Sequence, residues 1–275
     1  MSVVLFNELI KQSIQKKRPM SFGKLGAVET DCIANSRANK QVIWGDNLGI
    51  NAGVFPLTER IVTKWIKEYL DSIRSLDAVA EWWFGKDTAL LDQYNPTRLT
   101  TTVIDDLLPF YLGKDAWHYG LADKTVLVVH PMVDTIEAQA MRFASIWPGA
   151  AIKKTICVRS FYPPWLTTSH PYKNFFDCLA AIKKQIAKHQ FDFAVVGAGA
   201  YSLPLLKFIK QMGVPCVHLG GQTQLLFGIR GQRWETEYDE VWRQANFYNN
   251  SPYWIKPLLT DIPTNKEMVE NGCYW

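Results

Sequence analysis

Apolar residues along the chain form two kinds of pattern: short continuous runs typical of buried strands, and longer stretches with a helical period. The clearest example is an apolar run at residues 191–196, a glycine turn at 197–201 and an apolar-periodic helix through Met212. A second run at 214–219 then leads into Gly220 and Gly221, which open another helix. This order is typical of a nucleotide-binding α/β sheet, because glycines after a strand let phosphates approach backbone amides. A tight turn that only packs is the alternative.

The same alternation of runs and periodic stretches predicts further elements along the chain. We predict strands at 19–24, 41–44, 125–131 and 152–158, and helices at 3–17, from Glu29 through Asn35, and at 58–72, 134–146 and 172–188. Strands that alternate with helices favour a doubly wound, mostly parallel, Rossmann-like sheet. We therefore expect a single α/β domain over residues 1–275.

Two segments depart from this regular pattern. Residues 45–53 are polar and rich in glycine, so we expect a loop over a site there. Residues 77–120 are irregular, aromatic and interrupted by proline. We therefore predict a helical insertion or lid at about 57–120.

Composition narrows the class of protein. The 275 residues are 48% hydrophobic and 20% charged, with 11 tryptophans that either pack or offer stacking surfaces for a sugar or a base. The net charge is only +4 and no basic stripe is present, so nucleic acid is not an expected partner. No stretch has the 18 apolar residues of a membrane span, and the five cysteines lack paired spacing. We expect a cytoplasmic protein.

Ligands of such sheets bind outside the carboxyl ends of the strands. Polar and glycine residues follow five of the predicted strands there. They are Lys24, Gly26 and Glu29; His130 and Asp134; Arg159 and Ser160; Gly197, Gly199 and Tyr201; and His218, Gly220 and Gln222.

Most of these residues have a structural alternative. His130 and His218 either bind a ligand phosphate or cap backbone groups at strand ends. Asp134 is either an N-cap or a catalytic or ligand-binding group. Tyr201 either contacts a diphosphate or ribose or packs against the sheet. Two arginines beside Gly231 either bind phosphate or an acidic acceptor, or are simply solvated; they are Arg230 and Arg233.

Several sequence blocks resemble a known family. Residues 22–29, Phe-Gly-Lys-Leu-Gly-Ala-Val-Glu, resemble the Arg-Phe-Gly-Asp-Gly-Glu turn of the GT-D fold glycosyltransferases. Further blocks resemble a related, largely uncharacterised group assigned to that fold, and together they span essentially the whole chain. These blocks are residues 51–56, 126–131, 134–136, 199–201, 218–221, 224–231, 233–234 and 272–275.

The resemblance implies transfer of a sugar from a nucleotide-diphosphate donor, expected to be a UDP-sugar, to a hydroxyl of a glycan acceptor. Such an enzyme needs amides or cations beside the diphosphate, and a carboxylate to take the hydroxyl proton if the sugar inverts. Glu29 and Asp134 are the two candidates for the catalytic base. The expected donor-binding residues are Lys24, Gly26, Asn51, His130, Gly197, Gly199, Tyr201, His218 and Gly220.

One departure from the family motif bears on metal use. The family's Asp-Gly-Glu triplet is an acidic pair associated with a divalent metal such as Mn²⁺ or Mg²⁺, whereas this chain has Ala27, Val28 and Glu29. Asp31 is no substitute, because residues two apart on a helix do not share a face. We therefore favour metal-independent chemistry, with Glu29 as base or as holder of an acceptor hydroxyl. A favourable charge at a helix N-terminus, worth about 0.3–1 kcal/mol, is the alternative.

Two other functional classes use similar sequence patterns. An NAD(P)-dependent oxidoreductase fits less well, since the turn at 197–202 lacks the third glycine of Gly-x-Gly-x-x-Gly and no acidic residue closes the next strand. A non-catalytic nucleotide-sugar or glycan-binding protein of the same fold remains open. The sequence contains no Gly-x-Ser-x-Gly elbow, so it gives no support for a serine hydrolase.

Overall fold

A computed structural model describes residues 3–82, 85–101, 104–236 and 251–275. Its centre is a seven-stranded sheet in which every pairing is parallel, with the order β3-β2-β1-β7-β6-β4-β5. The strands are β1 (Ser21–Gly23), β2 (Ala78–Ala80), β3 (Leu99–Thr101), β4 (Thr125–His130), β5 (Lys154–Arg159), β6 (Phe193–Val196) and β7 (Cys216–His218). The α/β class and the parallel, Rossmann-like sheet are thus confirmed.

Helices cover both faces of the sheet. They are α1 (Val3–Gln15), α2 (Ala27–Ala38), α3 (Asn47–Ile50), α4 (Glu59–Ile73), α5 (Thr88–Tyr94), α6 (Val133–Ala140), α7 (Phe143–Ile146), α8 (Phe175–Ile186), α9 (Ser202–Gln211), α10 (Gln222–Leu226) and α11 (Arg233–Thr236). Short 3₁₀ helices complete the connections. None of the helices in these ranges is long and apolar enough to cross a bilayer.

The continuous apolar run in β4 follows from this double cover. Val126 and Val128 contribute to a core shared with α1, α6 and α10, whereas Leu127 and Val129 contribute to a core shared with α2, α4, α8 and α9. Successive strand residues point to opposite faces, so a strand buried on both sides is apolar at every position.

The predicted strand at 41–44 is wrong, because the segment pairs with a helix instead of with the sheet. The Ser36 hydroxyl on α2 accepts a hydrogen bond from the Ile43 amide at 2.8 Å and donates to the Ile43 carbonyl at 2.9 Å. The Ser36 hydroxyl thus satisfies both the amide and the carbonyl of Ile43, which would otherwise bond to a neighbouring strand.

The two irregular segments are more ordered than their sequences suggest. Residues 45–53 contain α3, and Leu48 and Gly49 are buried, so the segment is not simply a loop. Residues 57–120 contain helices but also supply β2 and β3, which form one edge of the sheet. The predicted helical insertion or lid thus contributes strands to the central sheet. The single-domain assignment stays a prediction.

Candidate functional site

The carboxyl ends of β1 and β7 lie side by side near the centre of the sheet, and we call the region beyond them the crevice. These neighbouring strands are followed by α2 and α10, and the two helices pack on opposite faces. The chain segments after the strands therefore diverge. Such a topological switch point is where open α/β sheets bind ligands.

Glu29 lies in the first turn of α2 at this crevice. Its side chain folds back toward the N-terminus of α2. A Cβ on Gly26 would be only 2.0 Å from the Glu29 Oε2, so the carboxylate occupies the space that a side chain on Gly26 would need. The Gly26 amide donates to the Tyr69 hydroxyl at 3.1 Å, which fixes the turn from the other side. Gly26 is thus a glycine because the carboxylate of Glu29 fills that space.

The Glu29 carboxyl is buried, with only 7% of the residue exposed. Burial raises the pKa of Glu29 from 4.5 to about 7, while a hydrogen bond from its own amide and the charge of Lys24 oppose the rise. A carboxyl with a pKa near 7 exchanges protons readily at neutral pH, and general acid or base catalysis requires that property.

Lys24 brings a positive charge to the same crevice. Its side chain lies beside Gly220 and His218: a Cβ on Gly220 would be 3.7 Å from the Lys24 Nζ and 3.7 Å from the His218 Cε1. The ammonium also lies 4.9 Å from the centre of the Trp82 ring, and the indole nitrogen of Trp82 donates to the Leu25 carbonyl at 2.7 Å. The turns after β1 and β7 are therefore joined through Lys24.

Both predicted site histidines, His130 and His218, are neutral at pH 7. Burial lowers the pKa of His130 to about 3, and its Nδ1 accepts from the Met132 amide at 3.1 Å. Burial, and then the charge of Lys24, lower the pKa of His218 to about 4; its Nδ1 lies 3.0 Å from the Val196 carbonyl oxygen. Neutral imidazoles do not supply positive charge to a diphosphate, but each ring can offer a hydrogen bond.

Most backbone amides of the glycine turn at 197–201 already donate hydrogen bonds within the protein, so few could bind a phosphate. The Gly197 amide donates to the Val129 carbonyl, the amide of residue 198 to the Ser202 hydroxyl, and the amide of residue 200 to the Ala52 carbonyl. Gly199 is exposed with φ +52°, and a Cβ there would lie 2.6 Å from the Ala52 oxygen. These contacts favour the packing alternative for this turn.

Tyr201 also favours its packing alternative. Its ring is buried and stacks on Phe175 with centroids 4.2 Å apart, and its hydroxyl donates to the Gly53 carbonyl at 3.3 Å. Asn51, two residues before Gly53, donates through Nδ2 to the Glu270 carboxylate at 3.3 Å. Its Oδ1 is buried without a hydrogen-bond partner among the described residues.

Asp134 belongs to an ion-pair network, since its carboxylate pairs with Arg159. Arg159 also donates to the buried Asp261 at 3.0 Å and to the Pro131 carbonyl at 2.7 Å. The predicted N-cap is wrong, because α6 begins at Val133 and Met132 holds the cap position. The Asp134 carboxylate is already engaged by Arg159, so Glu29 is the better candidate for the base.

Tyr274, near the C-terminal end of the described residues, also reaches the crevice and was not among the predicted site residues. Its ring packs on the turn after β7, where a Cβ on Gly221 would be 2.7 Å from Cε1. Its hydroxyl accepts from Arg233 at 3.0 Å. Burial raises the pKa of Tyr274, the charge of Arg233 lowers it and that of Glu29 raises it. The adjacent glycine and paired aromatics at 272–275 were the available signal.

The described residues include no group of three His, Cys, Asp or Glu side chains placed to hold a metal ion. The two residues before Glu29 in its turn, Ala27 and Val28, carry no carboxylate. No family model, curated protein or solved structure matched the chain in comparisons with known proteins.

Proposed function

We propose that the protein is a glycosyltransferase that moves a sugar from a nucleotide-diphosphate donor, a UDP-sugar, to a hydroxyl of a glycan acceptor. The observation that carries the proposal is Glu29, a buried carboxyl whose pKa of about 7 places it ready for proton transfer at the β1/β7 switch point. The resemblance of residues 22–29 to the GT-D turn supplies the reaction class.

Each proposed step has a residue in this crevice. The acceptor hydroxyl oxygen attacks the anomeric carbon, and its proton passes to the Glu29 carboxylate. The bond between the anomeric carbon and the diphosphate oxygen breaks, so the nucleoside diphosphate leaves with its electron pair. Lys24 offsets the charge that develops on this leaving group. No step is assigned to a metal, because the carboxylate pair that would hold one is missing.

Aromatic side chains around the crevice support a sugar substrate. The Trp82 ring lies beside Lys24, and the Tyr274 ring lies beside the turn after β7. A Cβ on Gly221 would also be 3.6 Å from the Trp234 ring. Rings of this kind present apolar faces on which sugars or a base stack.

A thermal-shift panel tests donor binding. Uridine, guanosine, cytidine and thymidine diphosphates, their sugar conjugates and nicotinamide dinucleotides are each added with Mn²⁺ and with chelator. A ligand at about 100 times its Kd adds roughly 2.7 kcal/mol of stability, which raises the Tm visibly. The proposal predicts stabilisation by uridine diphosphate compounds that survives chelator and weakens in Lys24→Met. Stabilisation only by nicotinamide compounds, or by none of the panel, contradicts it.

A further inference from the structure

A groove between α4 and α8 lies apart from the crevice at the β1/β7 switch point. It has a volume of about 540 Å³ and continues along α4 into a second hollow of about 460 Å³, with Lys64 and Lys67 lining both. Its floor is apolar, formed by Phe176, Leu179 and Ala180. The Lys64 ammonium lies 4.0 Å from the centre of the Phe176 ring.

The groove carries excess positive charge. Its two inner acidic residues are already paired, Glu68 with Lys183 at 3.7 Å and Asp71 with Lys207. Their charges therefore do not offset the other cations along α4.

Three of those cations, Arg60, Lys64 and Lys67, are exposed and have no carboxylate partner within the described ranges. Glu59 is the one remaining acidic residue of the groove. The three lie four and three residues apart, so they form one stripe about 10 Å long on a single face of α4.

We propose that this groove docks an acidic amphipathic helix of a partner protein. An apolar floor between two helices takes the apolar face of a third helix, and a flanking stripe of cations pairs with acidic residues beside that face. Charge complementarity of this kind sets the partner's orientation and speeds association. An anionic membrane fits less well, because a flat bilayer does not reach the floor of a groove.

The test uses the 275-residue chain and a fluorescent helical peptide of about 18 residues, with leucines on one face and glutamates beside them. Fluorescence anisotropy measures its Kd at about 50 mM and about 300 mM salt. A scrambled peptide of the same composition and phosphatidylserine vesicles are the comparison ligands. Lys64→Glu with Lys67→Glu reverses the stripe, Ala180→Trp fills the floor, and Lys153→Glu with Lys188→Glu is the matched control pair of exposed lysines.

The proposal predicts that wild type binds the amphipathic peptide at least about tenfold more tightly than the scrambled one. Salt should weaken binding, both groove variants should weaken it by about tenfold or more, and the control pair should bind within about twofold of wild type. Circular dichroism checks that every variant folds. Equal binding of the scrambled peptide, no loss in the groove variants, or preferential binding of the vesicles overturns the proposal.

Discussion

Replacing Glu29 with glutamine tests whether this carboxyl is a strained, proton-accepting group or a favourable charge at a helix N-terminus. The folded-state pKa of about 7 lies above the usual 4.5. A raised carboxyl pKa stabilises the fold below pH 4.5, and this contribution is lost as pH rises through 7. Each pKa unit corresponds to about 1.4 kcal/mol, so keeping Glu29 ionised above pH 7 costs about 3 kcal/mol.

Glutamine has nearly the same shape but cannot ionise. We therefore expect Glu29→Gln to match wild type at about pH 4 and to exceed its free energy of unfolding by up to about 3 kcal/mol at about pH 8. Loss of a helix N-terminal charge offsets at most about 1 kcal/mol of this gain. Urea unfolding of both proteins from about pH 4 to about pH 8 measures the difference, and taking the difference cancels the titration of other groups.

The opposite result would also give a clear answer about the role of Glu29. If Glu29→Gln were less stable than wild type at pH 8, by an amount that does not vary with pH, the carboxylate would be an ordinary charge stabilising α2. The proposal of Glu29 as a catalytic base would then lose its physical basis.

Three further predictions concern separate residues. Gly26→Ala should displace the Glu29 carboxylate, because the new Cβ takes its place. The part of the free energy of unfolding that depends on the titration of Glu29 should then shrink, and an unchanged dependence of urea unfolding on pH contradicts this packing. Gly199→Val should lower stability by at least about 1 kcal/mol, since φ is +52° and the Ala52 carbonyl is close; unchanged urea unfolding contradicts this strain. His118→Phe should stabilise the fold by about 1 kcal/mol at pH 7, because both ring nitrogens are buried without a hydrogen-bond partner in the described part of the chain. The gain should widen as pH falls below 6.5 toward 3, where burial opposes protonation of the histidine; a gain independent of pH contradicts this prediction.

The sheet was readable from the sequence because most of its strands carry their own signal. Residues 126–129 are apolar at every position, as a strand covered on both faces requires, and the glycines at 197, 199, 220 and 221 mark the ends of β6 and β7. Strands β2 (Ala-Val-Ala) and β3 (Leu-Thr-Thr) were not predicted, because neither lies in a long apolar run and β3 stands at the edge of the sheet. Segment 41–44 misled because Ser36 satisfies its backbone instead of a neighbouring strand.

The site was readable only in part. Glu29 and Lys24 follow β1 directly, so predicting that strand was enough to place them at the carboxyl edge of the sheet, whereas the pairing of β1 with β7 came only from the structure. Tyr274 could not be placed in this way, because it is 53 residues beyond Gly221 and reaches it only through tertiary packing. The glycine turn at 197–201 shows the converse limit: the sequence has the right residues, but contacts with Ala52 and Ser202 take up its amides.

The most direct test of the transferase proposal is donor turnover. Wild type and Glu29→Gln are incubated with UDP-sugars and a panel of glycan acceptors, and released UDP is measured alongside the donor-induced rise in Tm. The account predicts acceptor-dependent UDP release by wild type, and a variant that retains the donor-induced rise in Tm but releases no UDP above background. Donor binding without release by wild type would make the protein a non-catalytic binder, and full release by Glu29→Gln would remove Glu29 from the mechanism.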